Sequence, residues 1–205
     1  MNAEVANVAG NNYDKYASTN PVEKKMMAGF FAALDHMLHG LTPSIVVEFG
    51  AGEGRITQHL VEKFPNASVI GLDLPDDELA AEWQSIDVPM FFGDATRLPL
   101  TDNSVDLIVG LEVLEHIPDP GRALREISRV CRGTAILSVP REPIWRIGNI
   151  ARGRYIGALG NTPGHINHWS AGSFKRFVGE HLDVTETAQP LPWTMLQATP
   201  KATPR

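Results

Sequence analysis

The chain has 205 residues, 43% of them hydrophobic, and a formal net charge of −6 with its histidines neutral. That length and apolar content suit one folded domain with a sizeable core and exclude a disordered chain. The acidic balance weighs against a broad grip on nucleic acid, which needs clustered Lys and Arg. Cys131 is the single cysteine, so no internal disulfide forms and a reducing, cytoplasmic setting is expected. Residues 1–12 lack the basic start and apolar run of a secretory signal, and no apolar stretch approaches the ~20 residues of a membrane-spanning helix.

Taken in chain order, residues 1–12 read as a mobile terminus and 13–40 as an N-terminal helical cover. Asn20 is placed to cap a helix with Pro21 at its first position, and Met26, Met27, Phe30, Phe31, Leu34, Met37 and Leu38 recur at helical spacing up to Gly40. Strands are expected at 45–49, 68–72, 88–92, 105–111 and 134–139. They alternate with helices at 55–64, 76–84 and 120–131, the last begun by Asp119 and Pro120. This rhythm predicts an α/β fold with a doubly wound parallel sheet, helices on both faces and right-handed crossovers. Residues 141–169 break the rhythm. They are too long for a bare loop and read as a lid with its own helix opening at 143–147. Ser170 is placed to cap a helix, and final strands are expected at 182–187 and 193–199.

The run Val46-Val47-Glu48-Phe49-Gly50-Ala51-Gly52-Glu53-Gly54 is a buried strand that breaks into a glycine turn before a helix, a geometry that brings bare backbone to a nucleotide-like ligand. Glu48 would repel a pyrophosphate and suits a cationic group. Asp73 ends the second strand 19 positions after Gly54, where a carboxylate accepts from ribose hydroxyls. Asp94, in Gly93-Asp94-Ala95, is placed to accept from an exocyclic amine such as that of adenine. Beyond the fourth strand, Glu112 and Glu115 read as solvated or capping acids near a helix start.

These residues, with Asp102-Asn103-Ser104-Val105-Asp106 and Leu114-Glu115-His116-Ile117, resemble the class I S-adenosylmethionine-dependent methyltransferases, specifically the small-molecule branch called type 11. The resemblance implies a Rossmann-like, mostly parallel seven-stranded sheet whose last strand is antiparallel. It implies that Gly50, Ala51 and Gly52 approach the methionine part of S-adenosyl-L-methionine, with Glu48 placing its amino group through water and the Leu111 carbonyl accepting from that amine. Asp73 would bind the ribose diol, Leu74 would pack on the adenine, and Asp94 and Ala95 would read the adenine edge. Tyr13 and Tyr16 belong to a segment that closes over the cofactor in similar enzymes, Tyr16 as a cofactor contact; simple packing is the alternative reading.

The expected chemistry is direct, metal-independent displacement at the sulfonium methyl. No His-x-x-x-His pair or Cys cluster is present, so no metal ligands are assigned. A base is needed only for a poorly ionised acceptor, and the candidates are His168, His165 and His116. Arg141, Arg146, Arg152 and Arg154 in the insert suit a lid with a solvated face, with an acidic acceptor or a membrane surface as alternatives. The expected partner is a small molecule, acidic or aromatic, rather than nucleic acid. A nicotinamide-dependent oxidoreductase and a non-catalytic scaffold are the competing readings. The first is disfavoured because Arg55 stands where its fingerprint wants a third glycine.

Overall fold

The computed structural model describes residues 20–153 and 155–202. In chain order the elements are α1 (Pro21–Leu38), β1 (Ile45–Phe49), α2 (Arg55–Lys63), β2 (Ser68–Asp73), α3 (Asp77–Trp83), β3 (Met90–Phe92) and β4 (Val105–Leu111). There follow a 3-10 turn at Leu114–His116, α4 (Pro120–Val130), β5 (Cys131–Pro140), α5 (Ile144–Ala151) and a 3-10 turn at Ile156–Ala158. The chain ends with α6 (Ala171–Gly179), β6 (Leu182–Ala188) and β7 (Trp193–Pro200). Helix starts follow local chemistry: the Asn20 side chain accepts from the Val22 N–H ahead of Pro21, and Ser170 forms a capping box with Ser173.

The seven strands form one sheet in the order β3-β2-β1-β4-β5-β7-β6. The first five pair in parallel, and β7 runs antiparallel to both β5 and β6. The apolar runs have two faces because successive strand residues point to opposite sides. Val47, Ile108 and Leu137 join Leu124, Ile127, Phe174 and Val178 from α4 and α6. Val46, Leu107, Val109 and Ile136 join Phe30, Leu34, Ile56 and Leu60 from α1 and α2. The sheet is therefore buried on both sides, as near-continuous apolar strands require.

The amino ends of β1 and β4 are fastened through Asp106, whose carboxylate accepts from the Ser44 and Ile45 N–H groups at 3.0 Å and from Arg132 Nε at 2.7 Å. The Arg132 bond is the main reason its acid is lowered to about 2. Among the described residues no helix is long and apolar enough to cross a membrane.

Candidate active site

β1 lies between β2 and β4 although the chain visits them on either side of a crossover, so strand order reverses there and a crevice opens at the carboxyl ends. The turn leaving β1 passes through left-handed backbone at Gly50 (φ 70), Gly52 (φ 49) and Gly54 (φ 75). A Cβ at Gly50 would collide with the Val113 methyls, so the peptide there must be bare. Ala51 is buried beneath the turn and donates its N–H to the Leu72 carbonyl at 3.1 Å, tying β1's exit to β2.

Asp73 organises this turn. Its Oδ2 accepts from the Gly52 N–H and its Oδ1 from the Leu74 N–H, both at 2.7 Å. Burial makes it a weaker acid than a free aspartate and these two N–H groups pull it part of the way back. A carboxylate can accept up to about four hydrogen bonds, so two bonds to backbone leave capacity for a diol. From the far side, Trp83 Nε1 donates to the Gly52 carbonyl at 2.8 Å while its ring stacks on Phe92 at 4.7 Å. Leu74 and Phe92 remain 52% and 42% exposed, an apolar ledge beside Asp73 that could take a flat ring. Asp94 Oδ1 accepts from the Thr96 N–H at 2.7 Å, which shapes the turn holding the buried Ala95.

Glu48 is 2% exposed and accepts a hydrogen bond from the Thr57 hydroxyl. Burial, with the Asp73 charge adding to it, pushes its carboxyl up to about 8. It therefore carries its proton at neutral pH unless a cation lies beside it. The Leu111 backbone closes the other side of the crevice at the end of β4.

Beyond β4 the chain builds a second, more polar wall. Glu112 sits in left-handed backbone (φ 63), an uncommon conformation for a non-glycine residue. Its carboxylate accepts from Trp193 Nε1 at 2.6 Å and from the Ser138 hydroxyl at 3.3 Å. Glu115 is 1% exposed, which corrects the expectation of a solvated acid. Its backbone carbonyl accepts from the Ile166 and Asn167 N–H groups at 2.9 and 3.0 Å, and the Asn167 amide donates to the Leu114 and Ile117 carbonyls. The 164–167 segment is thus stitched onto the turn after β4. His116 and His165 consequently meet edge to face with ring centres 4.8 Å apart, and His165 lies against Trp145.

His168 takes different partners. Its Nε2 accepts from the Arg146 guanidinium at 3.0 Å and its Nδ1 lies 3.8 Å from Glu142. Burial, helped by the Arg146 charge, lowers its basicity. Three basic residues of the insert are engaged within the fold: Arg146 by His168, Arg152 by Glu23 at 3.2 Å and Arg141 by Gln189. Tyr13, Tyr16 and Arg154 lie outside the described residues. Thr57, Trp83, Val113, Ser138 and Trp193 are contributors that motif reading missed. The available signal was a threonine on the apolar face of α2 and tryptophans whose indole N–H groups need acceptors when buried.

Residues 47–139 match the model of a family described as a methyltransferase domain. Together with the glycine turn, the strand-end acids and the sheet order, that match makes this region similar to the class I S-adenosylmethionine-dependent methyltransferases. A malonyl-[acyl-carrier protein] O-methyltransferase of Geobacter sulfurreducens is 28% identical over 125 residues, covering 58% of this chain and 44% of the relative. The chain spans less than half the length of the curated relatives it matches. A methyltransferase structure from Aquifex aeolicus superposes with a TM-score of 0.69 at 15% identity, covering 89% of this chain and 94% of that one. The magnesium protoporphyrin IX methyltransferase of Synechocystis, solved with bound S-adenosylhomocysteine, gives 0.65 at 16% identity, covering 95% and 91%. These two likenesses establish the methyltransferase fold. The residues at this crevice fit the family's cofactor: a bare peptide turn, an acid with acceptor capacity left over, an apolar ledge and a buried carboxyl that suits an ammonium.

Proposed function

We propose that this chain transfers a methyl group from S-adenosylmethionine to a small-molecule acceptor by direct displacement. The observation that carries the reading is the convergence of Asp73, Glu48 and the Gly50–Gly52 peptide on one crevice, with the polar wall of Glu115, His116 and His165 beside it. Asp73 would hold the ribose diol, Leu74 and Phe92 the adenine face, Asp94 and Ala95 its edge. The Leu111 carbonyl and Glu48 would hold the methionine ammonium. The cofactor supplies an electrophilic methyl group. The protein's part is to align acceptor, methyl and sulfur, with reacting atoms brought to about 3 Å, and to keep water out.

On the acceptor side, His116 and His165 are better placed than His168, whose Nε2 lone pair is occupied by Arg146. His116 follows β4 directly and meets His165 edge to face, which supports reading both as acceptor-side groups.

Incubation with isotopically labelled cofactor and a metabolite extract, followed by mass detection, tests the reading. The expected result is a labelled species one methyl heavier than an extract component. No labelled small molecule under conditions where S-adenosylhomocysteine binds would leave the scaffold reading in its place.

A further inference from the structure

The structure assigns a site that neither motif spacing nor the displacement chemistry calls for. We propose that Glu115, His116 and His165 hold one divalent first-row transition-metal ion, of the zinc class, with an open coordination position facing the acceptor.

One donor atom from each of the three residues lies within 4.8 Å of the other two. Two imidazoles and one carboxylate form a ligand set that binds zinc at catalytic centres, where three protein ligands leave a position for water or substrate. Magnesium and calcium prefer all-oxygen shells, so this donor set selects against them. Glu115 is 1% and His165 6% exposed, so the donors are taken from solvent by the fold, unlike a surface cluster.

The surroundings fix the ligands as a metal centre requires. His116 Nδ1 lies 3.0 Å from the Gly164 carbonyl, which only accepts, so Nδ1 donates there and the neutral ring would offer Nε2 to an ion. A ligating histidine characteristically donates its other ring N–H to a carbonyl or carboxylate in this way. His165 is held by Trp145 at 5.9 Å, and Trp145 is itself fixed by donating Nε1 to the Thr162 hydroxyl at 2.8 Å. Asn149 donates to the Gly160 carbonyl at 2.9 Å and clamps the same loop onto α5. Backbone bonds from Ile166 and Asn167 to the Glu115 carbonyl complete the frame.

The role of the ion rests on the methyltransferase reading; its existence does not. A hydroxylated acceptor binding at the open position loses its proton to solvent. Its oxygen electron pair then forms the bond to the methyl carbon, while the carbon–sulfur bond breaks and its pair stays on sulfur. This departs from the metal-independent expectation, and it makes the acceptor an oxygen nucleophile.

Calorimetric titration of the untagged, chelator-treated chain with Zn²⁺ alone tests the site, with S-adenosylhomocysteine titrated separately so that loss of one binding is not confused with loss of the other. The expected result is one ion per chain, with affinity falling at least 100-fold in Glu115→Gln and His165→Gln variants that melt cooperatively. Wild-type protein with Co²⁺ should show the intense visible absorption of a low-symmetry, low-coordinate site, a readout that needs no variant. Absence of stoichiometric Zn²⁺ binding, unchanged affinity in folded variants, or a Co²⁺ spectrum like that of the aqueous ion would overturn the proposal.

Discussion

An Asp73→Asn substitution is expected to weaken S-adenosylhomocysteine binding by about 5- to 150-fold, the range that about 1–3 kcal/mol of lost charge-assisted hydrogen bonding corresponds to. The effect has two parts. Asp73 presents one oxygen to the Gly52 N–H and the other to the Leu74 N–H. Asparagine has one oxygen and one NH2 group, so one of these backbone donors would face another donor. The glycine turn would then lose a fixing bond at the point where the methionine part of the cofactor must approach. The ribose diol would also lose a charged acceptor. Isothermal titration of both proteins measures the change, and wild-type affinity in the variant would mean that Asp73 does not hold the ribose.

The second large effect concerns pH. The Glu48 carboxyl titrates near 4.5 in an unfolded chain and about 8 in the fold, chiefly because it is buried. Between these values the folded protein keeps a proton that the unfolded chain has released. Stability therefore falls as pH rises through this window and levels off above about 8. Glu48→Gln keeps an acceptor for the Thr57 hydroxyl but cannot titrate. Its stability relative to wild type should thus rise across the window, reaching on the order of 3–5 kcal/mol at pH 8. Chemical denaturation at pH 5, 6.5 and 8 measures this, and parallel profiles for the two proteins would refute it. The same proton bears on ligand binding. An ammonium placed beside Glu48 favours the carboxylate, so the wild type should release a proton on binding S-adenosylhomocysteine near pH 7, seen as a binding enthalpy that varies with the buffer's ionisation enthalpy. The glutamine variant should lack that component.

Much of the fold was legible because its signals are local. β1 and β4 fall where mostly apolar runs end in glycine or acid, at 45–49 and 105–111. Errors arose where tertiary contacts override local pattern. β3 was expected from Val88 but begins at Met90, and Pro89 lacks the N–H that a ladder position needs. Cys131 was placed in a helix, yet β5 starts there. Gly133 then continues the strand where a Cβ would strike the Asp106 backbone. The acids of the proposed cofactor side come together for the same local reason: each stands at a strand end, and parallel strands deliver their ends to one crevice. The acceptor side was not. Glu115 and His165 are 50 positions apart, and they meet only because Asn167 and the 164–167 backbone dock on the turn after β4. No spacing rule could have paired them. His168 is equivalent to His165 by sequence, and only the fold brings Arg146 against it.

The proposed function requires the crevice between β1, β2 and β4 to accept an adenosine joined to a zwitterionic amino acid. Titrating the purified chain with S-adenosylhomocysteine and, separately, with NAD decides this. The prediction is one saturable site for the first and none for the second, since Arg55 replaces the glycine that a dinucleotide turn needs. Saturable NAD binding, with no heat and no thermal shift from S-adenosylhomocysteine, would contradict it.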